Sequence, residues 1–121
     1  SGFDESVVTT YFVAYNNQAN NSNGLTYQAG YDESGTAYIL LNDGIGNGAD
    51  ESTAGELHLF NPSSTTYVKT FYSRFHNYGS TEYSTDSFVS VYFNITAAID
   101  EISFKFSSGN FDGKIKMFGI K

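Results

Sequence analysis

The chain has no cysteine and no tryptophan, only six basic residues, and no apolar run approaching the about 18 residues that a membrane-spanning helix needs. Without cysteine there are no disulfides, no thiolate nucleophile and none of the common structural zinc sites. The six Lys and Arg stand against thirteen Asp and Glu, a net charge of −7 at pH 7. A field of that sign repels phosphate backbones and anionic lipid, so neither nucleic acid nor a membrane is expected as a partner. No basic-then-apolar leader is visible either, and the chain is expected to be soluble. What is present is aromatic: 11 Phe and 10 Tyr make 17% of 121 residues, enough apolar surface to exclude the disordered class. That length is read as one domain, residues 1–121.

Strong helix formers are sparse, while Gly, Ser, Thr, Asn, Tyr and Phe dominate. The period of the apolar residues is two. Ile102, Phe104 and Phe106 share one face against Ser103, Lys105 and Ser107, and Leu57 and Leu59 flank His58 in the same way. Strands are predicted over residues 7–15, 26–31, 37–41, 56–61, 67–74, 87–94, 101–107 and 113–121, with Gly119 read as a bulge in the last. Residues 87–94 are apolar on both faces, which predicts a central strand covered on each side. Asn23-Gly24, Asp43-Gly44, Asn47-Gly48 and Asp112-Gly113 are hairpin-type turn signals, and residues 96–99 are the only segment read as a helical turn, capped by Thr96. The fold class predicted is all-β: an antiparallel two-sheet β-sandwich, jelly-roll-like, of about eight strands.

Catalytic text is missing. The Asp-Glu dipeptides at 4–5, 32–33, 50–51 and 100–101 invite paired-carboxylate chemistry, but neighbours on a strand point oppositely and each pair sits at a strand end or turn. No Ser occupies a G-x-S-x-G elbow, and His58 points away from the face of Leu57 and Leu59. Residues 43–51 fail the EF-hand test, because Ile45 stands where an oxygen ligand is needed and Ala54 where Glu is needed. An irregular calcium site using Asp43, Asn47, Asp50 and Glu51 is the one cofactor reading left open; otherwise none is expected. The G-x-G-x-x-A order of Gly44, Gly46 and Ala49 is followed by strand-like sequence, so it is no dinucleotide fingerprint. Asn20 and Asn94 open glycosylation sequons, which carry little without a leader. Residues 74–83 are dense in aromatics and hydrogen-bonding groups. Arg74, His76, Tyr78 and Tyr83 are therefore the candidate ligand-binding set, suited to stacking on a sugar or on a protein.

Two stretches carry a resemblance: LFNPSSTTYVKT at residues 59–70 and AIDEISFKFSSGNFDGKIKMFGIK at residues 98–121, together with Gly44-Ile-Gly-Asn47 and Gly55. They resemble a group of small tailed-phage virion proteins with an N-P-x-S-T-x-Y-K-T strand pair and an S-S-G-N ending closed by G-I-K. The match covers roughly Gly44 onward, and Val68 departs from it, standing where the group has Tyr or Lys. The resemblance implies a jelly-roll-like β-sandwich without enzymatic activity. It also implies a place on the virion exterior, in capsid decoration or a tail appendage, with other virion proteins or copies of the chain as partners. Relatives usually carry further strands before the position of Ser1, so Ser1-Gly2 is read as a cut edge, a tag scar or the start of the C-terminal part of a longer chain. On that reading residues 16–24 and 75–83 are loops offered outward or to neighbours; the alternative expectation is a carbohydrate-binding adhesin that recognises host surface glycans through Arg74, His76, Tyr78 and Tyr83.

Overall fold

The computed structural model describes residues 2–79 and 81–120. Five antiparallel strands form one sheet: β1 (Val7–Asn17), β2 (Asn23–Tyr27), β3 (Ser52–Phe60), β4 (Lys69–Tyr78) and β5 (Tyr83–Phe93), in the order β2-β1-β5-β4-β3. The chain is all-β, as its composition and period predict. The only helical element among the described residues is one 3₁₀ turn, Ala29–Tyr31. Strand alternation sorts the two faces of the sheet. Val7, Tyr11 and Val13 of β1, Phe71 of β4, and Val89 and Val91 of β5 are buried on one face. The intervening residues Val8, Phe12, Tyr72 and Tyr92 stay exposed on the other.

The buried face is closed by chain without a ladder. Ile39, Leu40 and Leu41 pack against the core beside Leu57, Leu59 and Phe93. The Ile99 N–H donates to Pro62 O, Tyr38 and Ser103 share a hydroxyl–hydroxyl bond of 2.9 Å, and the Lys105 ammonium lies 4.1 Å from the centre of the Tyr38 ring. Lys69, completely buried, donates from Nζ to Tyr67 O at 2.9 Å and to Thr96 O at 3.0 Å, which ties the segment after β5 to the start of β4.

The eight-strand, two-sheet expectation therefore resolves into one five-stranded sheet with residues 39–41 packed on its buried face. Residues 37–41, 101–107 and 113–120 form no strand, and 96–99 form no helical turn. The physical reason is that a period of two reports an extended chain with one apolar side; it does not supply a partner for the backbone N–H and C=O groups. β5 does lie at the centre of the sheet, but Ser90 and Tyr92 are exposed, so only one of its faces is covered. The Asn23-Gly24 signal also falls differently. β1 runs on to Asn17, the turn comes at residues 18–22, and Asn17 Oδ1 accepts from the N–H groups of Asn21 and Ser22 at 3.0 Å each. Asn20 takes the left-handed conformation in that turn, a role Asn tolerates better than other non-glycine residues.

Candidate binding site

The four residues predicted to bind ligand do not converge. Arg74, His76 and Tyr78 occupy alternate positions of β4 and lie on the exposed face of the sheet. There the Arg74 guanidinium donates to both carboxylate oxygens of Asp86, at 2.8 and 3.4 Å, and sits 5.3 Å from the centre of the Phe88 ring. Phe88 in turn stacks on Phe12 at 4.7 Å, and His58 stacks on Tyr72 at 5.0 Å. His76 Nε2 and the Ser84 hydroxyl are 3.0 Å apart. This is a flat aromatic surface with an ion pair. Tyr83 belongs to the opposite face, because on β5 it shares the parity of Ser87, Val89 and Val91.

Tyr83 instead borders a cleft of about 390 Å³ at the end of the buried face. Tyr15 and Val13 of β1 line it, with Gln28 and Tyr31 from the 3₁₀ turn, Asp43 and Gly44 from the long loop, Asn77 and Gly79 at the end of β4, and Thr81, Thr85 and Ser87 around β5. Its walls are fixed by close backbone approach. A Cβ on Gly79 would collide with the carbonyl oxygen of Gly44, and Gly44 holds φ at +77°, in the left-handed region that favours glycine. Beneath the cleft runs a chain of hydrogen bonds. Tyr11 Oη donates to Ser87 Oγ at 3.0 Å, Ser87 to Asn42 Oδ1 at 3.1 Å, Asn42 Nδ2 to Thr53 Oγ1 at 2.6 Å, and Thr53 to His76 O at 3.1 Å.

Two polar groups stand out inside it. Asn77, 2% exposed, donates from Nδ2 to Gly44 O at 3.3 Å while its Oδ1 has no hydrogen-bond partner among the described residues. Tyr31 Oη donates to Asp43 Oδ2 at 2.6 Å. That bond, with burial and the nearby Asp43 charge added, holds the phenol in its neutral form and pushes its pKa from 10.0 up to about 12. Since the folded-state pKa is the higher one, this contribution to stability is complete below pH 10 and is lost as the pH rises towards about 12. Urea unfolding across that window should show a steady fall in stability, and Tyr31→Phe should make the fall shallower. A variant with the same slope as the parent would show that Tyr31 is not held by Asp43.

Of the predicted calcium set, the Asp50 and Glu51 carboxyls lie near Gly48. Asp43 faces Tyr31, the Glu51 carboxylate accepts from the Gly48 N–H, and among the described residues no three His, Asp or Glu side chains gather as a metal-holding group. Sequence reasoning missed Tyr15, Tyr31, Gln28 and Asn77. Asn77 was the legible one: a polar residue at a position whose neighbours two and more apart, Phe71, Ser73 and Phe75, turn towards the core. No family model, curated protein or solved structure matches this chain.

Proposed function

We propose that the chain is a non-enzymatic structural module of a tailed-phage virion, carried on the particle exterior, whose open sheet face is covered by a neighbouring copy of itself. The observation that carries this reading is the exposed face itself. Val8, Phe12, Phe60, Tyr72 and Tyr92 are all more than a third exposed on one side of one sheet. A contiguous apolar surface of this kind marks an interaction site on a folded protein. Both edge strands also lack a further backbone partner among the described residues.

Charge favours a copy of the same chain as the neighbour. Residues 1–100 hold two basic residues against eleven acidic ones, and residues 101–121 hold four lysines against two acidic residues. A basic C-terminal segment of one copy is thus complementary to the acidic body of the next. The resemblance of residues 59–70 and 98–121 to virion proteins supplies the setting. On this reading the jelly-roll-like sandwich is completed in the assembled particle, where residues 37–41, 101–107 and 113–120 take up ladder pairing as its second sheet.

The test is a pair of substitutions on the open face, Val8→Asp and Tyr92→Glu, at positions that face each other across β1 and β5. Both side chains are over 40% exposed, so the isolated variant should keep its fold. It is expected to lose self-association in light scattering and to be missing from purified particles. Unchanged association and unchanged incorporation would refute the reading.

A further inference from the structure

We infer that the cleft between Tyr15, Tyr31 and Tyr83 is a binding site for an uncharged saccharide. Three independent features of the cleft lead to this ligand class. The first is ring surface: Tyr15 and Tyr83 stand 6.0 Å apart at a 55° angle, and Tyr31 is braced edge-on by Tyr11 at 5.3 Å. Tyrosine offers an apolar face for the C–H side of a pyranose and a hydroxyl for its rim, with little side-chain entropy to lose.

The second feature is the polar complement. Asp43, Asn77 and Gln28 are the kinds of planar acceptor and donor that fit paired ring hydroxyls. The carboxylate of Asp43 can take a second donor beside Tyr31, and Asn77 contributes to the cleft wall.

The third feature is charge. Among the described lining residues Asp43 is the only charged group, and no Lys or Arg reaches the cleft. That excludes phosphorylated and carboxylated sugars, whose anionic groups would face a carboxylate with no cation to offset it. The volume suits one or two sugar rings within the range usual for small-molecule sites. The open aromatic face carrying Arg74, His76 and Tyr78 is not part of this site. The inference does not depend on the virion reading, since it concerns the isolated chain.

The experiment is ligand-observed NMR with glucose, galactose, mannose, N-acetylglucosamine and N-acetylneuraminic acid, each at about 10 mM, where ligands of millimolar affinity are detected. At least one neutral sugar should bind, and N-acetylneuraminic acid should not. Tyr83→Ala should weaken that binding by at least tenfold, and Tyr72→Ala on the opposite face should leave it unchanged. If Tyr83→Ala lowers the melting temperature, Gln28→Ala at the rim serves as the second variant, with the same weakening expected. Absence of binding by all four neutral sugars, equal binding of the anionic sugar, or binding that survives the cleft variants would overturn the inference.

Discussion

Tyr11→Ala is expected to remove most of the stability of the fold, about 3–5 kcal/mol, while Tyr11→Phe should cost about 1 kcal/mol. Tyr11 is fully buried at the middle of β1, where it packs with Val13, Val89 and Val91 and braces Tyr31 edge-on. Removing the ring leaves a cavity that strands held on both sides by ladders cannot collapse to fill. Total stabilities of such domains run to about 5–15 kcal/mol, so a loss of this size takes a large share of the whole. The phenylalanine variant keeps the ring and loses only the hydroxyl bond to Ser87. Ser87 keeps its own donation to Asn42, so no buried group is left wholly without a partner there. Urea midpoints of the two variants should differ by about 1–3 M, with the alanine variant unfolding first. Equal midpoints would show that the ring at position 11 does not organise the core.

Gly55→Val is expected to destabilise by about 1–3 kcal/mol, and more if the edge strand detaches. Gly55 is directly opposite Phe75 in the β3–β4 register, and the Phe75 ring lies over it. An added Cβ would stand 2.5 Å from Arg74 O and 2.5 Å from Phe75 Cδ1. A flexible side-chain tip can yield to such contact, but a ladder carbonyl and a packed ring can do so only if β3 moves away from β4. The glycine is usually a weak point in a strand; here the aromatic neighbour covers the gap, and the pair acts as a unit. Gly55→Val with Phe75→Ala should therefore recover part of the loss, while Phe75→Ala alone should be destabilising. Hydrogen exchange should show β3 amides opening first in the valine variant. A variant as stable as the parent would mean that the two strands are not held at this spacing.

The strands that could be read from the sequence are those whose alternation coincides with a ladder. Residues 7–15 and 87–94 pair directly as β1 and β5, and the alternation of Leu57 and Leu59 around His58 places that histidine on the exposed face, where it stacks on Tyr72. Residues 101–107 show an equally clean alternation but have no ladder, and Ile102, Phe104 and Phe106 stay exposed. Phe106 instead stacks on Phe111 at 4.8 Å, across a turn at Gly109. Local pattern carries the apolar side of a segment; the identity of its partner is a long-range property that no window of residues contains.

The site shows the same division. Arg74, His76 and Tyr78 were legible as a group because alternate residues of a strand share a face. Tyr83 was grouped with them by sequence proximity, yet the turn between β4 and β5 sets its parity with the buried face. The cleft residues come from positions 13 to 87, brought together by the β1–β5 and β4–β5 pairings. Their common property, polar groups with the single charge of Asp43 around tyrosine rings, exists only once the sheet is assembled.

Cryo-EM of purified phage particles tests the proposed assembly most directly. The account places the chain on the outside of the particle in repeated copies, with Val8, Phe12 and Tyr92 of each covered by the next. Particles that lack the chain, or that hold it as isolated copies with this sheet face open to solvent, would contradict it.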